Sequence, residues 1–436
     1  MVQLLHPDWV IPIRPRGRVL ADHAVLIDGE HIVEILPAAE ISVRHPEVPV
    51  ERLPGCVLLP GLINSHAHAA MSLLRGFADD VPLMTWLQEH IWPAEARWVS
   101  DAFVEEGTRL ACCEFLFSGI TTFNDMYFFP QAAARAVLES GLRAVLGLTI
   151  LEFPTAYAND ADGYFEHGLA ARDALRGEAR LGFALAPHAP YTVSDRTFER
   201  VMTFAEELDL PVHLHVHETA HEVAEGIRLH GVRPIRRLQA LGVLGPRLIA
   251  VHSVHLDASE IALYARHGVS VAHCPHSNLK LASGIAPIAQ LRAAGVNVAI
   301  GTDGAASNNR LDLLGELHTA ALIAKAASGD ASVLPAAEAL ELATLGGALA
   351  IGRGHDLGSI EAGKLADLIS VDLDEPGALP VFDPISQLVY SAGRHHVRDV
   401  WVAGERLLVD RVATRIDVEQ VRQQAQAWGH RIRTGQ

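Results

Sequence analysis

The sequence predicts an α/β protein: a (β/α)8 barrel carrying a small β-sandwich built from both chain ends. Three observations predict it. From Val57 onward, apolar strand-like runs alternate with amphipathic helical stretches, the pattern of βα units. Eight such runs precede the end of the helical region near Ile351, and eight parallel strands can close into a barrel. Strand after strand ends in a polar or metal-ligating side chain, at the end where barrel active sites lie.

Residues 1–56 read as short strands forming the N-terminal part of the sandwich. His23–Asp28 and His31–Leu36 flank Gly29-Glu30, a hairpin signal, and Val48–Leu53 adds a further strand. The barrel spans 57–355. Its strand candidates are Val57–His66, Gly119–Met126, Arg143–Ile150, Arg180–His188, Pro211–His217, Leu248–His255, Val269–His276 and Val296–Asp303. Helices are expected at Ala102–Phe117, Gln131–Ser140, Asp195–Leu208, Asp257–Arg266 and Pro287–Ala294. A long excursion, 69–100, follows the first strand. Residues 356–416 return to strands, notably Leu365–Val371 and Asp399–Val409. Neither chain end has enough strands to stand alone, so the two should pair. Residues 417–436 hold a last helix, Val418–Ile432, with Asp417 and Gln420 in capping-box spacing.

Composition narrows the function. The chain has 436 residues and a net charge of −17, which argues against a nucleic-acid or anionic-membrane partner. Four cysteines without C-x-x-C spacing argue against disulfide scaffolding and a cysteine zinc site and fit a reducing compartment. His6-Pro7-Asp8 interrupts any signal-peptide core, and no run of ~18 apolar residues exists for a transmembrane helix. A cytoplasmic protein is expected.

The chemistry gathers at the strand ends. His66-Ala-His68 places two imidazoles on one face of a strand. Alone, such a pair can equally be a hydrogen-bonded surface feature. Here Pro187-His188, His213-Leu-His215-Val-His217-Glu218, His252-Ser-Val-His255, His273-Cys-Pro-His276 and Gly301-Thr-Asp303-Gly304 recur at the ends of later strands. Imidazoles plus a carboxylate suit zinc or ferrous iron with a position left open for water.

These motifs resemble the amidohydrolase superfamily along nearly the whole chain. Met71-Ser-Leu-Leu-Arg-Gly76, Asn124-Asp-Met-Tyr127, Pro187-His-Ala-Pro-Tyr191, Ser277-Asn-Leu-Lys-Leu281 and Gly301–Asn309 are similar to the 5-methylthioadenosine/S-adenosylhomocysteine deaminases. Triazine hydrolases and guanine deaminases share much of the framework. The resemblance implies metal ligands at His66, His68, His215 and Asp303. It selects His215 among the three strand-five histidines because the family ligand lies three residues before the glutamate. His213 and His217 then read as packing residues or as groups supporting the ligands from behind, although His217 would share a face with His215, so strand geometry alone leaves it open. No lysine precedes Lys280, so the carboxylated-lysine bridge of dinuclear members cannot form, and one divalent metal follows, zinc before iron.

The resemblance further implies catalytic roles for Glu218, His252 and Asp303. Asp303 takes a proton from water, His252 holds that water, and Glu218 protonates a ring nitrogen. Without the resemblance, Glu218 could be a carboxylate capping the next helix. Glu95 falls on the ribose-binding glutamate, though a solvated helix-entry charge reads the same way. His188 falls on a substrate contact and is otherwise a structural strand-end histidine; Trp86 is a pocket wall or plain core. No arginine lies between Arg143 and Arg172 to meet a charged substrate tail, whereas Leu148 or Phe153 could line an apolar pocket; Arg75 is a substitute from elsewhere. The expected activity is hydrolytic deamination of an adenosine-type thioether nucleoside, in a protein that the superfamily implies is a homo-oligomer. Guanine, pterin or triazine hydrolysis is the nearest alternative, and a non-catalytic metal-binding scaffold the alternative of another class.

Overall fold

The computed structural model describes residues 2–435. Eight parallel strands follow one another in chain order around a barrel: Leu62–Ala67, Ile120–Tyr127, Arg143–Ile150, Leu181–Pro187, Val212–Val216, Leu248–His252, Ser270–His273 and Asn297–Ile300. The seam between first and last is stitched by the Asn64 side chain and a backbone bond. The Asn64 amide donates to Thr302 Oγ1 (2.7 Å) and accepts from the Thr302 backbone (2.9 Å), and the Asp303 amide donates to the His66 carbonyl (3.0 Å). Inside, Ile63, Val145, Ala184, Ile249, Val251 and Ala272 pack on Ala348 and Ile351. This apolar plug leaves the polar chemistry at the opposite, C-terminal end of the strands.

The first strand differs from expectation. Val57–Pro60 belongs to the small sheet, as the end of a strand running Val50–Pro60, and the barrel begins at Leu62. The apolar run is continuous because both segments are buried on both faces, which hides the break. Gly61 makes the change of sheet: its amide donates to the Asp367 carbonyl (2.9 Å), and a Cβ there would collide with the Thr121 side chain.

The two chain ends do pair, and they do so edge to edge. Val50–Pro60 lies parallel to Val2–Val10 and antiparallel to Leu368–Asp372, joining both ends in one nine-stranded sheet. That sheet closes over its own core, in which Val25, Ile27 and Leu58 meet Leu368 and Trp401.

The expected helices form within a residue or two, and local chemistry explains their starts. Ser100, Ser194 and Asp257 cap Asp101–Phe117, Asp195–Glu207 and Ala258–His267, the last with a complete capping box to Glu260. In Val418–Thr434 only half of that box forms: Asp417 accepts from the Gln420 amide (3.0 Å). This helix packs Trp428 on Phe103 of Asp101–Phe117. The excursion after the first strand folds into short helical segments, including a π-helical turn Trp86–Ile91 and the helix Trp92–Trp98. No helix among the described residues is long and apolar enough to cross a membrane.

Candidate active site

Hydrogen-bonded pairing in the later barrel strands stops before the polar strand ends that the sequence suggested. His217, His252, Ser253 and Asp303 lie at or beyond the last paired residues, with φ of 54°, 66°, 50° and 61°. Left-handed backbone is uncommon outside glycine and concentrates at functional sites. Along the first strand, the register against Ile120–Tyr127 shifts between Asn64 and Ala67, the stretch that carries His66.

Four imidazoles converge there, each anchored through Nδ1. His68 Nδ1 donates to the Met126 carbonyl (2.6 Å) and His215 Nδ1 to the His188 carbonyl (2.7 Å). His66 Nδ1 pairs with His213 Nε2 (2.9 Å), and His252 Nδ1 with Asn278 Oδ1 (2.9 Å). Anchoring one nitrogen fixes the ring and leaves the Nε2 lone pair to face inward. Burial holds His66 neutral, with its pKa down to about 4, and His215 well below the usual range. Asp303 Oδ1 stands 3.3 Å from both His66 Nε2 and His68 Nε2. The ligand atoms of His66, His68 and Asp303 lie within 4.8 Å of one another, as do those of His66, His215 and His252. His66 Nε2 is buried without a hydrogen-bond partner. Lone pairs aimed at one another and at a carboxylate, in a largely buried site, are satisfied by a shared cation, so the donor set fits a divalent metal.

Glu218 and Asp303 have contrasting surroundings. Burial raises the Glu218 pKa. Burial also opposes ionisation of Asp303, but the facing imidazoles outweigh it and hold Asp303 well below the carboxylate range. Ser277 donates to Asp303 Oδ2 (2.6 Å) and the Gly304 amide to Oδ1 (2.8 Å). Glu218 Oε2 sits 3.7 Å from His252 Nε2, and Glu218 Oε1 accepts from Ser283 (3.3 Å). The cap of the following helix is made by Thr219 instead, which accepts from the Glu222 amide at 3.1 Å. Glu218 is therefore free of that duty.

These groups form the floor of a cavity of about 320 Å³. Its walls include Trp86, Trp92, Leu151, Phe153, Glu95 and His188, and among the lining residues there is no lysine or arginine. Tyr127 donates its hydroxyl to Glu95 Oε1 (2.7 Å), while burial pushes the Glu95 carboxyl up to about 7. His188 is held by Thr192 Oγ1 (3.1 Å), and burial brings its pKa down to about 3.

The structure decides three points that the sequence left open. Leu148 points outward, because Val145, Gly147 and Thr149 take the inward positions of that strand; it packs under the helix Ala161–Leu175 and Phe153 alone lines the pocket. Arg75 is committed to Glu114 and the Asn309 carbonyl. His217 turns away from the cavity to the His255 carbonyl (3.2 Å) and the Ile235 amide (3.3 Å). His213 supports the site from behind as the partner of His66, as the sequence suggested, whereas sequence reasoning missed Ser277, Asn278, Ser283 and Tyr127 as partners of the site. Ser277, Asn278 and Tyr127 lie inside the motif stretches, which was the available signal.

Residues 57–407 match the amidohydrolase family. The 5-methylthioadenosine/S-adenosylhomocysteine deaminase of Teredinibacter turnerae is 47% identical over 430 residues, 98% of this chain and 97% of that one. Its counterpart in Thermodesulfovibrio yellowstonii is 41% identical over 432 residues, 99% of this chain and 98% of that one. A zinc-bound adenosine deaminase from Xanthomonas campestris superposes with a TM-score of 0.96 at 49% identity, covering 99% of this chain and 98% of the other. Zinc-bound atrazine chlorohydrolase from Arthrobacter aurescens gives 0.91 at 28% identity, covering 98% and 99%. On that family match and those near full-length relatives, the chain belongs to the amidohydrolase family, among the 5-methylthioadenosine/S-adenosylhomocysteine deaminases.

Proposed function

We propose that this protein is a hydrolytic deaminase of 6-aminopurine nucleosides, with 5′-methylthioadenosine as the preferred substrate. The reaction exchanges the 6-amino group for a 6-oxo group and releases ammonia. The observation that carries this reading is the cavity. Glu218, His252 and Asp303 share its floor, Glu95 stands in its wall, and the remainder is largely apolar with no cationic side chain. The names of the relatives and of the zinc-bound adenosine deaminase agree with it.

His66, His68, His215 and Asp303 would hold one metal ion, zinc by its donor set, with His252 left for the water. A divalent ion so held supplies the Lewis acidity that makes water nucleophilic near neutral pH. The chain's own groups manage the protons. Asp303, steadied by Ser277, accepts a proton from the attacking water as oxygen bonds to purine C6. Glu218 gives its proton to N1, so the ring accepts the electron pair without a stranded charge. His252 orients the water from its anchor on Asn278. Asp303 then passes its proton to the amino nitrogen, the C6–N bond breaks, and ammonia leaves. The hydroxyl proton remaining at C6 returns to Glu218 and resets it. His188 meets the purine edge, and Glu95 accepts from the ribose hydroxyls.

Ammonia release by the zinc-loaded protein, screened over adenosine, 5′-methylthioadenosine, S-adenosylhomocysteine, guanine and a pterin, tests the reading. Turnover is expected on the adenosine-type nucleosides. Turnover confined to guanine or the pterin would overturn it.

A further inference from the structure

The fifth barrel strand, Val212–Val216, meets a directional problem at its end. His213 and His215 share one side of the strand, where His213 pairs with His66 and His215 lines the cavity. Alternation would send His217 inward and Glu218 outward. The observed order is the reverse. His217, with φ of 54°, turns its ring to the Ile235 amide and the His255 carbonyl, and Glu218 takes the place facing the cavity.

Two sets of contacts hold this turn. On one side, the Val216 carbonyl accepts from the Ser253 amide (3.0 Å), and the His217 carbonyl accepts from the Val254 and His255 amides (both 3.0 Å). On the other side, Glu222 accepts from both orphan amides of the turn: His217 N donates to Oε1 (2.8 Å) and Glu218 N to Oε2 (2.8 Å). Glu222 is 7% exposed and does not line the cavity. It stands at the third position of the helix Ala220–His230, where a capping-box glutamate would reach back to the cap residue's own amide. Glu222 passes over Thr219 and takes the two amides before it.

We propose that Glu222 is a positioning residue for Glu218, fixing the left-handed turn that aims the proton donor into the cavity. The inference rests on the reading of Glu218 as that donor. A glutamine fills the same volume but offers one oxygen and one NH2 group. Its nitrogen would meet a backbone N–H, donor against donor, so one of the two bonds is lost.

For Glu222→Gln, kcat on 5′-methylthioadenosine should fall about 10²-fold, the scale of an ångström-level misplacement, with KM within about threefold and zinc content unchanged. Thr219→Ala, which removes the helix cap and keeps the Glu222 carboxylate that the His217 and Glu218 amides bond, should lower Tm while leaving kcat near wild type. The deciding measurement is the double variant. Because Glu222 acts only through Glu218, Glu218→Gln/Glu222→Gln should turn over no more slowly than Glu218→Gln alone. Multiplying losses, or wild-type kcat in folded Glu222→Gln, would overturn the proposal. Wild-type kcat in Glu218→Gln would instead overturn the reading of Glu218, and this inference with it. If Glu222→Gln is not recovered folded, Glu222→Asp, one methylene too short to span both amides, is read by the same criteria.

Discussion

The cavity walls make a quantitative demand on the 5′ end of the substrate. 5′-Methylthioadenosine ends in a methyl group, whereas S-adenosylhomocysteine continues into an ammonium and a carboxylate. Phe153, Pro154, Leu151 and Trp92 offer the first an apolar seat, and no lysine or arginine lines the cavity to meet the second. Arg75 is spent on Glu114 and the Asn309 carbonyl. Burying polar groups unpaired costs roughly 2–7 kcal/mol each in apolar surroundings. With the mouth partly open to water, about 3 kcal/mol is a fair share, and at ~1.4 kcal/mol per tenfold this is ~10² in kcat/KM. Both substrates present the same purine to Glu218 and Asp303, so the difference should appear chiefly in KM. The assay is steady-state ammonia release on both nucleosides at matched zinc loading. Phe153→Arg, which places a guanidinium on the apolar wall, should narrow the gap. Equal or better use of S-adenosylhomocysteine by the unmodified protein would refute the reasoning, because the tail would then have a partner.

Other outcomes follow from the same geometry. Glu218→Gln should keep its zinc and lose ~10²–10⁴ in kcat, since an amide cannot cycle the proton; near-normal turnover in the zinc-loaded variant would reduce Glu218 to a packing residue. Metal analysis should find one zinc per chain, lost with activity in His66→Ala and retained in His252→Ala; two ions in an ordered site would contradict the assignment. Burial raises Glu95 from 4.5 to about 7, so it is neutral below that pH and a carboxylate above it. Charged acceptors bind hydroxyls more strongly, so KM for nucleosides should fall as pH rises through about 7, and the step should vanish in Glu95→Gln. A wild-type KM flat across that range would count against ribose recognition by Glu95.

The parts of the molecule that follow a period were legible in the sequence, and so were the identities of the strand-end histidines. Eight apolar runs became eight barrel strands, and His66, His68, His215, His252 and Asp303 meet at one end. What escaped was set by departures from the period. Pro60-Gly61 marks a turn within Val57–His66, but the buried apolar residues on both sides of it hide that the chain passes there from one sheet to another. The expected strands run past the observed ends at His252–His255, His273–His276 and Gly301–Asp303, because nothing in those polar residues marks where hydrogen-bonded pairing stops. Partners such as His213 for His66 and Tyr127 for Glu95 lie 147 and 32 residues apart and exist only once the barrel closes.

The irregular positions also carry the chemistry. A β-strand repeats every two residues and can offer only alternate side chains to the barrel mouth. At the end of the fifth strand the site needs two groups in one direction, His215 and Glu218, which are three residues apart and so of opposite parity. Strict alternation cannot supply that pair; the left-handed turn at His217 can. The cost of that conformation, of order 1–3 kcal/mol, is offset by the amide contacts of Glu222 and the strand-six bonds to the Val216 and His217 carbonyls. The same need accounts for His252 and Asp303, each with positive φ just where its strand ends. A straight continuation of these strands would preserve the fold and scatter the site.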